Sequence, residues 1–326
     1  MNFCGGVMFH HFHNMRERER ENVNRSHIIS QGSIDSDMLY QMLCFIRENG
    51  YVMLNPEEFI HKVQRNTLQN NETCITFDDG LKCQIDIALP ILNRAGIKAF
   101  WFVYTSPIQG ELEKLEVYRH FRFSRFDDVE DFYDLFFEIV REKQKELGVN
   151  YRTSMDDFIR SNYAGEFAFY SESDRKYRYF RDVILGRKKY FNIVDRMMDD
   201  SGYDPKLYAD MLWLNDEDIK RLHCEGHYIG LHSHTHPTNM EELSFESQMK
   251  EYRENMEIIQ SLTGSEPRVV SYPCGSYNKD TEIIMKELGV ILGFDPKTKT
   301  SWNDKMHIPR EDHANIIREM HSLGVL

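Results

Sequence analysis

No stretch of about 18 successive apolar residues, the minimum for a bilayer-spanning helix, occurs in the 326 residues of this chain. A transmembrane segment is therefore not expected. The first residues, Met1 to Asn14, carry histidines and glycines where an export signal needs a basic segment followed by an apolar one. Paired cysteines are lacking too. The six present, Cys4, Cys44, Cys74, Cys83, Cys224 and Cys274, show neither a C-x-x-C pair nor disulfide-like spacing, as expected for reduced thiols. Together these absences predict a cytoplasmic protein. Basic charge is also short: the formal net charge is −13 and the pI about 5.6. Such a field repels nucleic acid and acidic lipid, and suits a neutral or cationic substrate.

With 41% apolar and 13% aromatic residues, the chain has material for one large core or two modest ones. No internal repeat appears, and the charged stretch Arg16 to Arg25 reads as a solvated loop. Capping residues at Ser33 to Asp37 precede the helical periodicity Met38, Leu39, Met42, Leu43 and Ile46, which Gly50 stops; a short strand at Tyr51 to Leu54 follows. The run Cys74 to Phe77 then ends in Asp78-Asp79-Gly80, with a helical pattern up to Gly96 and an apolar strand at Ile97 to Tyr104. This is a βαβ unit with an acidic pair at the carboxyl end of its first strand.

Between Leu112 and Asp200 the pattern turns to aromatic, charged helical segments, Val129 to Leu147 and Arg178 to Met198 among them. Residues 106–208 are accordingly expected to be a helical insertion within one domain spanning 1–326. Alternation resumes with a helix at Asn215 to Glu225 and a strand at His227 to Leu231. A helix at Ser247 to Leu262, a strand at Arg268 to Tyr272, a helix at Asp280 to Leu288 and a strand at Val290 to Gly293 complete it. Polar clusters recur just after strands, which predicts an α/β fold, a distorted (β/α)7-type barrel of parallel strands with its site at their carboxyl ends.

Two clusters carry chemistry. Adjacent carboxylates at a strand end project differently, so Asp78 and Asp79 can divide metal binding and proton transfer, although an Asp-Asp-Gly turn equally suits a plain helix cap. Three histidines within five positions, His232, His234 and His236, are hard to explain by packing. The i, i+4 pair His232 and His236 can converge on one ion while His234 points away. Two imidazoles and one carboxylate leave open positions on a divalent ion, an arrangement suited to hydrolysis of an amide or ester.

The blocks Thr76-Phe77-Asp78-Asp79-Gly80 and His232-Ser233-His234-Thr235-His236-Pro237 resemble the first two motifs of the NodB-like polysaccharide deacetylases, carbohydrate esterase family 4. Gly226 to Leu231 resembles the strand leading into the second, and Ser271-Tyr272-Pro273-Cys274-Gly275-Ser276-Tyr277 resembles the third. The resemblance implies Asp78 as general base and Asp79, His232 and His236 as ligands of one divalent metal, zinc first, with cobalt, nickel or iron as alternatives. It also implies that the backbone N–H of Cys274, with Tyr272 beside it, stabilises an oxyanion; an ordinary Pro-Cys-Gly turn is the plainer reading.

Ser271 stands where many members have an arginine that orients the base. Arg310, in His307-Ile308-Pro309-Arg310-Glu311-Asp312, is the candidate replacement, with a surface pairing to Glu311 or Asp312 as the alternative. His10 resembles an N-terminal-strand histidine of some relatives and is a pocket candidate or a structural residue. The leaving-group acid is left open among His307, His313 and His321. The implied activity is removal of an N-acetyl or, second, O-acetyl group from a sugar or oligosaccharide of a surface glycan or its precursor; hydrolysis of another C–N bond, in formamides or small cyclic amides, and a metal-binding protein without turnover are the other options. Oligomers through the insertion are a further expectation.

Overall fold

The computed structural model describes residues 3–13, 33–165, 171–299 and 301–326. The loop expected at Arg16 to Arg25 lies outside them. The chain forms two compact units, one holding the N-terminal strand with residues 34–113 and 210–326, the other residues 114–209.

The first unit is built on parallel strands β1 (Gly6–Phe9), β2 (Val52–Met53), β3 (Glu72–Phe77), β4 (Phe100–Val103), β5 (Tyr228–Leu231), β6 (Val269–Ser271), β7 (Leu292–Phe294) and β8 (Arg310–Asp312). Their order is β7-β6-β5-β4-β3-β1-β8, with β2 beside the start of β3. A parallel bridge joins Phe294 of β7 to Ile308, two residues before β8. Ile308 also donates to the Gly293 carbonyl at 2.8 Å. The sheet thus curls nearly closed, the distorted barrel that the alternation predicts.

Parallel strands buried on both faces need apolar residues at every position, and alternation sorts them into two layers. Phe100, Phe102, Val269, Leu292 and Phe294 fill the barrel interior together with Phe59 and Val63 of the helix Pro56–Gln64. Their neighbours Trp101, Val103, Phe77, Leu231 and Val270 face outward into the helix layer. Two glycines make this interior possible. A Cβ on Gly230 would lie 2.5 Å from the Phe102 ring, and one on Gly6 would crowd Cys74 Sγ and Thr76 Cγ2 at 3.3 Å.

The helices start where side chains satisfy their free N–H groups. Asp35 caps Ser36–Glu48 through the Met38 N–H, and Asn215 forms a capping box with Asp218 on Asp216–Cys224. The helix expected after Gly80 opens instead as a π turn, Gln84–Ala88, before Leu89–Ala95. Pro90 explains the widening, since it has no N–H to give to the carbonyl four residues earlier.

The second unit contains helices Lys114–Arg125, Val129–Glu142, Tyr151–Ser161, Glu172–Tyr179 and Gly186–Asp200. Its own core is aromatic: Phe121, Phe132, Tyr133, Phe136, Tyr177 and Tyr190 are each at most 3% exposed. The segment expected as one helix from Arg178 to Met198 is split by a π turn, Phe180–Leu185, and by Gly186 at φ 67°.

Candidate active site

β3 delivers Asp78 and Asp79 just beyond its last residue. Asp78 continues the inward alternation of Thr76, while Asp79 turns into left-handed backbone at φ 75° and points elsewhere. Adjacent carboxylates are thereby separated. Gln84, wholly buried in the π turn, holds this loop: its Nε2 donates to the carbonyls of Asp78 at 2.6 Å and His10 at 2.9 Å, and its Oε1 accepts from the Leu81 N–H.

β5 delivers the histidines. Asp79 Oδ1 lies 3.2 Å from His232 Nε2 and 3.3 Å from His236 Nε2, and the two rings are 5.0 Å apart. Among the described residues these three form the one group whose ligand atoms all fall within 4.8 Å of each other. His232 Nδ1 sits 2.8 Å from the Ser271 carbonyl. Donation there places a proton on Nδ1, so that the neutral ring, once Nε2 gives up the proton it shares with Asp79, would offer its Nε2 lone pair to an ion. Two imidazole nitrogens and a carboxylate oxygen so arranged fit a divalent ion. Burial would raise the Asp79 carboxyl, but the His232 hydrogen bond and the nearby imidazoles hold it far below the usual range. Burial pushes His236 down to about 4, so it is neutral at pH 7; for His232, burial acts the same way but the Asp79 hydrogen bond outweighs it and raises its pKa.

His234 is directed away from this group. Its Nδ1 meets Thr105 Oγ1 at 3.0 Å, and its Nε2 lies 3.8 Å from Glu254. Helix Phe245–Thr263 pins the loop through two residues one turn apart. Asn255 accepts from the His232 N–H and donates to the Val103 carbonyl, while Glu251 accepts from the His234 and Thr235 N–H groups and the Thr235 hydroxyl.

Arg310, at the head of β8, is 1% exposed and lies inside the barrel. Its Nη1 and Nη2 each donate to an Asp78 oxygen at 2.7 Å, a bidentate pair, and Nη1 also donates to Thr76 Oγ1. The guanidinium carbon is 5.8 Å from the rings of both Phe102 and Phe294. Ser271 belongs to the same arrangement, for its hydroxyl donates to Asp78 Oδ2 at 3.1 Å and accepts from Arg310 Nη2 at 2.8 Å. Burial would raise the Asp78 carboxyl, and the guanidinium, with help from His232, more than reverses this to hold it below the ordinary range. His10 Nε2 stands 3.8 Å from Asp78 Oδ2 with its side chain 30% exposed.

The remaining sequence candidates are placed differently. Cys274 lies in the turn Pro273–Gly275 that follows β6, with φ 53° and an exposed side chain. Tyr272 alternates with Ser271 and so points to the outer layer, 1% exposed among the rings of Tyr277 and His307. His307 stacks on Tyr277 with Nε2 3.4 Å from Glu282. His313 lies beside Asp312 and the Phe9 ring, and His321 is exposed on the last helix. Among the described residues seven non-glycines have positive φ, and four of them, Asp79, Ser233, His236 and Cys274, belong to the three motifs. Strain of this kind collects where a side chain must be aimed.

A barrel of parallel strands with an Asp-His-His group beside an arginine-held aspartate is the arrangement that the resemblance to the polysaccharide deacetylases implies. The family model described as polysaccharide deacetylase matches residues 188–292. In sequence the chain matches no curated protein. Among solved structures it is similar to the deacetylase PplD of Streptococcus pyogenes, determined in complex with acetate, at 16% identity over 98% of this chain and 99% of that one, TM-score 0.56. IcaB from Ammonifex degensii aligns at 13% identity over 95% and 91%, TM-score 0.53. A de-N-acetylase from Aggregatibacter actinomycetemcomitans aligns at 11% identity over 97% and 98%, TM-score 0.55. These likenesses establish a shared fold. In motif order, family-model match and fold, the chain resembles the NodB-like polysaccharide deacetylases.

Proposed function

We propose that this protein hydrolyses an acetyl group, N-linked in the first instance, from a carbohydrate, using one divalent metal held by Asp79, His232 and His236. The observation that carries the reading is the charged, arginine-locked Asp78 adjoining that group of ligands. A metal there, zinc by donor type, would polarise the acyl carbonyl and acidify the attacking water. Asp78 would act as the base that takes a proton from the attacking water. Arg310 and Ser271 keep its carboxylate ionised and aimed, so reorientation adds little to the barrier. The Cys274 backbone N–H, presented by the left-handed turn, serves the developing oxyanion. His10, beside Asp78 and partly open to solvent, returns a proton to the leaving amine. Acetate, bound in the PplD structure, is the acid such a reaction releases.

The substrate class is an acetylated sugar or oligosaccharide of a surface glycan or its precursor. The test is acetate release by the zinc-loaded protein from N-acetylated and O-acetylated oligosaccharides, with formylated substrates assayed alongside. We expect deacetylation that falls about 10²- to 10⁴-fold in Asp78→Asn, the range of general acid–base catalysis. Full activity in that variant removes the base, and turnover of formamides alone redirects the reading to another C–N bond.

A further inference from the structure

His232 and His236 are oriented by different means. The Ser271 carbonyl fixes the His232 ring at Nδ1. The His236 backbone N–H is taken by Ser233 Oγ, and its Nε2 faces Asp79. Among the described residues no hydrogen bond orients its Nδ1. Besides the His232 ring at 5.0 Å, Tyr104 packs against that ring, centroids 5.1 Å apart and planes inclined by 43°.

Tyr104 is itself fixed. Trp213 Nε1–H donates to its hydroxyl oxygen, and the two side chains are 3% and 5% exposed. Buried aromatic polar groups find partners in this way, and the pair leaves the Tyr104 ring little rotational freedom. Trp213 also forms an antiparallel bridge with Leu81, and the Leu214 N–H donates to the Gly80 carbonyl at 2.9 Å. Gly80 and Leu81 directly follow Asp79. A two-residue segment therefore grips the backbone of the aspartate loop and, through Tyr104, the ring of His236.

We infer that Trp213 and Tyr104 are positioning residues for the metal ligands, setting the angle between His236 and Asp79 that a carbonyl sets for His232. This deepens the reading above and rests on it. Neither residue touches substrate, since both are buried. Their effect is on the geometry and affinity of the ion.

The probe is Co²⁺, titrated into the full chain and read by its visible absorption, with Zn²⁺ competition for affinity. Tyr104→Phe keeps the ring and removes the oxygen; Trp213→Phe keeps an aromatic ring and removes the N–H. Loss of outer partners of ligands typically weakens metal binding ten- to a hundredfold. We expect each variant to show a loss of about that size together with a changed cobalt band shape. The double variant should be no weaker than either single one, because both remove the same bond. Folded variants that bind Co²⁺ with wild-type affinity and spectrum overturn the inference, as does a double variant whose losses add. If Trp213→Phe does not fold, Tyr104→Phe decides alone by the same criteria. Absence of metal binding by the wild-type chain is a separate result, and it removes the function proposed for Asp79, His232 and His236.

Discussion

Arg310 and Asp78 form a buried pair, 1% and 3% exposed, whose members depend on each other. Removing one partner of such a pair strands the other as an uncompensated charge, at a cost of about 3–5 kcal/mol. Arg310→Met should therefore lower the unfolding free energy extrapolated from urea titration by that amount at pH 7. The pH dependence has a definite sign. With the guanidinium present the folded Asp78 carboxyl lies below its unfolded value. Its contribution to stability is thus full above the ordinary carboxylate pKa and is lost as pH falls through the depressed one. Without Arg310, burial is the dominant influence and the carboxyl rises. The acid limb of kcat/KM should then move to higher pH in Arg310→Met, while the wild-type profile shows no limb from Asp78 at neutral pH. An unchanged profile in the variant would separate Arg310 from the base.

At the scale of elements, helix Phe245–Thr263 acts as a splint for the histidine loop through Glu251 and Asn255. Glu251→Ala leaves three donors without their acceptor, and a lost buried partner costs about 1–3 kcal/mol. We expect kcat to fall about ten- to a hundredfold with metal affinity, measured by steady-state kinetics and zinc titration; wild-type values for both would show that the loop holds itself. The strands and the acidic and histidine clusters were legible because hydrophobic runs and motif spacing are local signals. Arg310 was reachable only because Ser271 left a vacancy in the third motif. Gln84, Asn255, Glu251, Tyr104 and Trp213 were not legible. On a single sequence they read as ordinary helix or core residues, and only folding brings them to the site. The π turns were hidden for a related reason, since an i→i+5 turn barely disturbs a 3.6-residue periodicity.

For the molecule as a whole, the formal charge of −13 acts on the proposed reaction asymmetrically. Hydrolysis of a neutral amide on an amino sugar leaves an ammonium, so the field attracts product more than substrate. Product inhibition by deacetylated oligosaccharide should therefore weaken as ionic strength rises from about 10 mM to about 150 mM, over which the Debye length falls from about 30 Å to about 8 Å. Initial-rate measurements with added product across that range test it; salt-independent inhibition would place product recognition in short-range contacts alone. Among the described residues no helix is long and apolar enough to cross a membrane.

Asp79, Ser233, His236 and Cys274 occupy backbone that glycine or asparagine would adopt with less strain. The molecule therefore holds side chains at these positions against its own conformational preference. A selection for heat tolerance conducted without an activity screen would be drawn toward glycine or asparagine at these very codons, and survivors changed at Asp79 or His236 would be sturdier and stripped of a proposed ligand.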